Sequence, residues 1–145
     1  MPTEFHGFAL VGKELERQLE EGQYFDIAAI PELGALSAAL AVERLARLPC
    51  TAETALSMRV RPQLDVELPR PFAVAENGRP GRFLVGAATV IVIDGDNIGI
   101  AHPAPDQVEP VESLYAYPMG RLTGSPAVAP LSADDAAKVR TWLRV

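Results

Sequence analysis

The sequence offers few side chains for catalysis, and His102 is the clearest candidate. It ends a predicted short strand over 98–102, directly before Pro103, and functional residues often lie where a strand gives way to a loop. An imidazole in that position could act as a general base. The nearby acids, Asp94 and Asp96, flank the opposite end of that strand, about 15–20 Å away at about 3.3 Å per residue. A catalytic dyad is therefore not expected, and a structural role for His102 stays open.

Two short motifs have the spacing of ligand-binding loops but lack the decisive ligands. Residues 7–13 match a phosphate-binding loop, yet Glu14 stands where a hydroxyl should bind magnesium. Residues 94–99 match the start of a calcium loop, yet Pro105 occupies the twelfth position, which needs a bidentate Glu. No His, Cys or carboxylate cluster has metal-ligand spacing. We therefore predict no metal site and no cofactor.

Composition narrows the classes of partner. The chain has 145 residues and a net charge of −6, whereas binding to nucleic acid needs clustered Lys and Arg. Cys50 is the one cysteine, so an internal disulfide is impossible. The longest strongly apolar run, 83–93, is too short to cross a bilayer as a helix. We expect a soluble, cytoplasmic protein that binds neither nucleic acid nor membrane.

The strand pattern predicts a sheet. Apolar and polar residues alternate over 56–68, which is typical of a strand with one dry and one wet face. Pro62 within it favours an edge position. A strand over 72–76, an Asn77–Gly78 turn and an apolar stretch over 83–93 predict a hairpin whose second strand is central and buried on both faces.

The helix pattern completes the predicted architecture. An acidic helix is expected over 12–22, an apolar helix over 31–48, and a final helix capped by Ser132. Residues 33–42 are apolar all round, so the second helix must be covered by the sheet on one side and by another layer on the other.

These elements predict one α+β domain over 1–145. Its core is an antiparallel sheet of four or five strands packed on the apolar helix, with the acidic and capped helices at the two ends. The proline-rich segment 103–130 is expected to form an extended arm. A helix rich in Ala and Leu followed by a meander resembles the hotdog arrangement of acyl-thioester enzymes, which implies a possible cleft between subunits.

Three functions follow from these features. The first is a non-catalytic interaction or assembly subunit that binds itself or a larger protein assembly, since the helix and the central strand leave much apolar surface to cover. The alternative is an acyl-thioester or hydrolase-type enzyme with His102 as general base. The third is a sensor of a small apolar ligand. The residues expected at a partner interface are Leu33, Leu36, Leu40, Arg59 and Arg61.

Overall fold

A computed structural model describes residues 13–30, 32–45, 52–64, 68–112 and 118–143. These residues form a mixed helix and strand fold of the α+β class. The helices are α1 (Lys13–Glu21), α2 (Gly34–Leu45), α3 (Ala52–Val60) and α4 (Ala133–Leu143). The strands are β1 (Phe72–Glu76), β2 (Thr89–Asp94), β3 (Asn97–Ala101), β4 (Val108–Pro110), β5 (Gly120–Leu122) and β6 (Val128–Pro130). Short 3₁₀ turns cover Tyr24–Ala29, Arg61–Gln63 and Pro105–Gln107.

The main sheet has four strands in the order β1-β2-β3-β6, and it is mixed. β1 and β2 are parallel, with Phe72 opposite Thr89 and Glu76 opposite Ile93. The β2–β3 and β3–β6 pairs are antiparallel, and β4 and β5 form a separate two-stranded sheet. The prediction of a wholly antiparallel sheet was therefore wrong.

The parallel pair arises from the path of the chain after β1. The predicted turn is present, with positive φ values at Asn77 (49°) and Gly78 (68°). The chain then crosses one face of the sheet, where Leu84 is buried, and β2 starts only at Thr89. Val85, expected inside a central strand, is 37% exposed. The central position of β2 between two strands is confirmed, and Ile91 is fully buried.

The strand predicted over 56–68 was wrong, because residues 56–63 form the end of α3 and the 3₁₀ turn after it. Residues 65–67 of the prediction lie outside the described part. The buried face of α3 includes the polar residues Glu53 and Ser57 beside Met58 and Val60. A helix whose inner face contains paired polar groups breaks the apolar spacing on which helix recognition depends. The alternation of apolar and polar residues over 56–68 therefore resembled the two-residue period of a strand. Arg59, expected in that strand, lies in α3.

Side chains on the two faces of the sheet belong to different cores. On one face, Phe72, Ile91 and Ile100 pack with Val60 of α3 and Val139 of α4. On the other face, small residues of β1, the loop before β2 and one residue of β2 form a second cluster, which consists of Ala73, Ala75, Phe83, Leu84, Ala87 and Val90. The alternation of residues along β1 and β2 between these cores is the two-residue period of a strand.

The apolar helix is present as α2, but it does not lie across the sheet. It packs on the Tyr24–Ala29 turn and α3, where Ala41 joins a small core formed by Leu19, Phe25 and Met58. α3 and α4 cover the sheet instead. The hotdog-like arrangement, which needs the helix on an antiparallel sheet, is therefore not formed. The two extremities of the predicted helix, Pro31 and residues 46–48, lie outside the described residues.

The two terminal helices agree with the sequence pattern. In α1, Arg17 donates to Glu14 at 2.7 Å, and this contact holds the pKa of the Glu14 carboxyl below its usual range. At the start of α4, the Asp135 backbone N–H donates to Ser132 Oγ at 3.1 Å, which is the expected cap. The Lys138 ammonium, followed by the Ser132 hydroxyl, lowers the pKa of Asp135.

The proline-rich segment 103–130 contains the short strands β4, β5 and β6, and its residues 113–117 lie outside the described part of the chain. β6 forms one edge of the main sheet. The Leu131 N–H donates to Ile98 O at 3.0 Å, so the backbone nitrogen of Pro130, one residue earlier, points away from β3 toward the open edge. Because proline has no N–H, this edge has no donor at that position. At the opposite edge, a Cβ on Gly81 would clash with the Val74 carbonyl oxygen, so the loop backbone lies tightly against β1.

Candidate functional site

An apolar strip on α2 is the most exposed of the predicted interface features. Leu33, Leu36 and Leu40, hereafter the leucine face, are 42%, 74% and 51% exposed. Leu36 and Leu40 are four residues apart in α2 and therefore lie on one side of it. Leu33 is the turn residue directly before α2, three residues from Leu36. The three exposed leucines thus follow one another along the first half of the helix and its entry turn. Ala41, the residue after Leu40 and about 100° further round the helix, faces the protein, where it packs on the core of Leu19, Phe25 and Met58. The fold thus covers one side of this helix and leaves the leucine face in solvent.

The predicted arginine part of the interface has a different role. The Arg61 side chain is 20% exposed and pairs within the chain with Glu20 at 3.0 Å and Asp26 at 3.7 Å. These contacts tie the turn after α3 to α1 and the Tyr24–Ala29 turn. Arg59 lies in α3, and its side chain is outside the described part. Arg61 is therefore engaged internally, and the leucine face is the exposed member of the predicted set.

A buried polar cluster, which sequence reasoning missed, joins α3 to the start of β1. Glu53 is 1% exposed and accepts hydrogen bonds from Arg70 Nη2 at 2.7 Å, Ser57 Oγ at 2.5 Å and the Phe72 backbone N–H at 2.9 Å. Arg70 Nε also donates to Ser57 Oγ at 3.1 Å. We call Glu53, Ser57, Arg70 and the Phe72 N–H the Glu53 cluster. Glu53 and Arg70 are far apart in sequence, so no spacing rule identifies the pair.

The ring of Phe25 lies beside the two arginines. The Arg70 guanidinium carbon is 3.8 Å from the ring centroid, and that of Arg61 is 6.0 Å away. A guanidinium over an aromatic face gains cation–π attraction, more so when it is removed from water. Phe25 is fully buried and also packs on Met58 of α3, so the Tyr24–Ala29 turn is held both by α3 and by Arg70, the partner of Glu53. The arrangement is that of a structural junction, since the charges satisfy one another.

His102 is exposed and directly follows β3. Its Nδ1 lies 2.9 Å from the Ala88 carbonyl oxygen and 3.5 Å from Thr89 Oγ1. Because a carbonyl oxygen only accepts, this contact favours a proton on Nδ1 and leaves Nε2 as the free acceptor of the neutral ring. Asp94 and Asp96 lie at the other end of the β2–β3 hairpin, so the fold does not bring them to His102.

No protein-family model, curated protein or solved structure matches this chain. The described residues contain no group of three or more His, Cys, Asp or Glu side chains placed to hold a metal ion. Among the described helices, none has both the length and the apolar character needed to cross a membrane.

Proposed function

We propose that this protein is a non-catalytic assembly subunit that self-associates through the leucine face of α2. The observation that carries the proposal is the exposure of Leu36, at 74%, with the exposed Leu40 one turn further along the same side of α2 and the exposed Leu33 in the turn directly before the helix. Contiguous exposed apolar surface is uncommon on a protein that works alone, and it favours burial against a partner. The same helix is held firmly on its other side, so the strip is presented on a formed element.

A second copy of the chain is the partner that this strip fits best. Two identical helices related by a two-fold axis bring the same patch of each subunit together. With Leu36 near the axis, Leu33 of one copy lies against Leu40 of the other, because the helices run in opposite directions. The exposed Ala39 beside the strip is small enough to permit close helix packing. Each leucine then gains an apolar neighbour in place of water.

The charge of the chain makes this proposal testable by salt. Each copy has a net charge of −6, so two copies repel each other while the leucine face attracts. Salt at 0.1 M largely screens the repulsion between charges that are more than a Debye length, about 10 Å, apart. Sodium chloride strengthens the burial of apolar surface only slightly. We expect a dimer with a Kd on the order of 10 μM, which tightens as sodium chloride is raised. Sedimentation velocity across a concentration series at low and high salt measures it.

Two results would contradict this assignment. A monomer at all salt concentrations and at protein concentrations well above the expected Kd removes self-association. A dimer that dissociates as salt rises points to attraction between opposite charges, and the leucine face would then not be the main contact.

A second candidate function is supported by the geometry of His102. The residue is exposed and its Nδ1 is engaged by the Ala88 carbonyl, which leaves Nε2 as the ring nitrogen for a general base in a hydrolytic or acyl-transfer site. Asp94 and Asp96 lie at the far end of the β2–β3 hairpin and form no dyad with His102, so self-association is the stronger candidate.

The tautomer of His102 tests that geometry directly. Long-range ¹⁵N–¹H spectra of the neutral ring are expected to show a protonated Nδ1 and an unprotonated Nε2. The His102→Ala variant assigns the signals. If Nε2 carries the proton instead, the ring does not present a base to solvent and this candidate is withdrawn. If the tautomer is as expected, a panel of esters and thioesters compared between the parent and H102A decides whether the base is used.

A further inference from the structure

A cleft opens on one face of the main sheet, at the end where the parallel strands β1 and β2 both finish. Its volume is about 320 Å³. The apolar floor includes Ala75 and Val92, one from each parallel strand, and Leu122 of β5 closes one side. Cavities of roughly 300–1,000 Å³ with an apolar lining and few polar groups are typical of small-molecule sites. The volume here is at the small end, the size of a compact metabolite.

The mouth of this cleft has two opposite charges. Arg79 follows the turn after β1, and Asp94 ends β2; both side chains are exposed and both line the cleft. The adjacent acid, Asp96, is bound by Arg140 at 3.2 Å. Within the part of the chain that the structure describes, neither Arg79 nor Asp94 has a side-chain ion pair. Arg79 and Asp94 thus flank one apolar floor without neutralising each other.

The backbone around the mouth is held in place by hydrogen bonds. The Asn77 N–H donates to Ile93 O at 2.8 Å, and Asn77 Oδ1 accepts from the Gly95 N–H at 3.0 Å. Arg79 N–H donates to Glu76 O at 2.9 Å. These contacts join the loop that positions Arg79 to the turn beside Asp94. The two charges therefore stand on connected loops, and a ligand need not order them from separate mobile segments.

We propose that this cleft binds a free α-amino acid with an aliphatic side chain. The ligand carboxylate is recognised by Arg79, its ammonium by Asp94, and its side chain by the floor around Ala75 and Val92. A simple carboxylic acid would place its anion near Asp94 with no cation to compensate. A simple amine would place its cation near Arg79 with no anion to compensate. Both charged ends and the apolar body are needed to match the lining. This site does not depend on self-association through α2.

Calorimetric titration of the intact chain with L-leucine tests the proposal. For a ligand of this size we expect a Kd on the order of 1 mM. Isocaproate, which lacks the ammonium, and isoamylamine, which lacks the carboxylate, are expected to bind at least about tenfold more weakly, because each forfeits one charged contact. These comparisons use the unmodified protein, so they remain informative even if a variant fails to fold.

Two variants with matched controls locate the site. Arg79→Gln and Asp94→Asn are each expected to weaken leucine binding about tenfold or more. Arg121→Gln and Asp106→Asn change exposed residues of the same types that do not line this cleft, and binding should be unchanged in both. Circular dichroism of each variant checks that the fold is kept.

Several outcomes would overturn the proposal. They are no detectable heat with leucine at about 10 mM, binding of either analogue as tight as that of leucine, or loss in only one of the two cleft variants. Equal losses in the control variants would show a nonspecific charge effect and would overturn it as well.

Discussion

The Arg70→Met variant is expected to lose about 3–5 kcal/mol of unfolding free energy. Arg70 is the cationic partner of Glu53, and their side chains are 6% and 2% exposed. Removing it leaves a buried carboxylate whose remaining donors, among the described residues, are the Ser57 hydroxyl and the Phe72 N–H. It also removes the guanidinium that lies 3.8 Å from the Phe25 ring centroid. Small domains have about 5–15 kcal/mol in total, so the loss would threaten folding.

A double variant separates the buried charge from the lost packing. Glu53→Gln replaces the carboxylate by a neutral amide whose oxygen still accepts the Phe72 N–H. We expect E53Q combined with R70M to be more stable than R70M alone, because no charge is then left buried without a counterion. Urea unfolding of the parent, both single variants and the double variant measures the coupling.

The matched control is Arg17→Met, which removes an exposed arginine paired with Glu14 and Glu21. Exposed pairs contribute little, so its unfolding curve should nearly overlay that of the parent. If R70M costs no more than R17M, the Glu53 cluster does not hold α3 to β1, and the junction described above is unimportant for stability.

The Leu36→Glu variant is expected to weaken self-association by roughly a hundredfold or more, because central apolar residues dominate interface energies. A two-fold interface contains Leu36 twice, so the variant buries two carboxylates near each other in an apolar contact. Since Leu36 is 74% exposed in the single chain, the free energy of unfolding of the monomer should change little. Sedimentation velocity and thermal unfolding together distinguish these effects.

Ala137→Glu is the control, because it adds the same charge at an exposed position on α4, away from the leucine face. Its dimer should dissociate only slightly more readily than the parent dimer. A Leu36→Glu protein that still forms the parent dimer would remove the leucine face from the interface. Equal dissociation in the two variants would instead show that net charge alone controls association.

Local signals predicted the elements whose causes are local. The Ser132 cap, the acidic helix and the Asn77–Gly78 turn each depend on neighbouring residues, and each is formed. The α+β class also follows, since strand and helix patterns both occur in the chain. The mixed sheet could not be predicted in this way, because a strong Asn77–Gly78 turn favours an antiparallel hairpin unless the residues after the turn pack in another place. Here they are drawn onto the sheet by Phe83 and Leu84.

The predicted site divides in the same way. The exposed leucines could be identified from an apolar stretch with no polar face, because such a helix always leaves apolar surface to cover. The Glu53 cluster could not, since its partners are joined only by tertiary packing. The assignment of Arg59 and Arg61 to a strand edge failed with the strand itself. The buried polar residues Glu53 and Ser57 interrupt the apolar spacing of α3, so the sequence pattern did not predict a helix there.

The borders of the main sheet bear on how this chain aggregates. Proline at 130 removes a donor from one border, while the backbone at Gly81 and the carboxylate of Glu53 obstruct the other. Strand-by-strand growth into fibrils needs an open border of this kind. The native molecule thus resists fibril growth, and conditions that release Glu53 from Phe72 would expose the Phe72 N–H to an incoming strand.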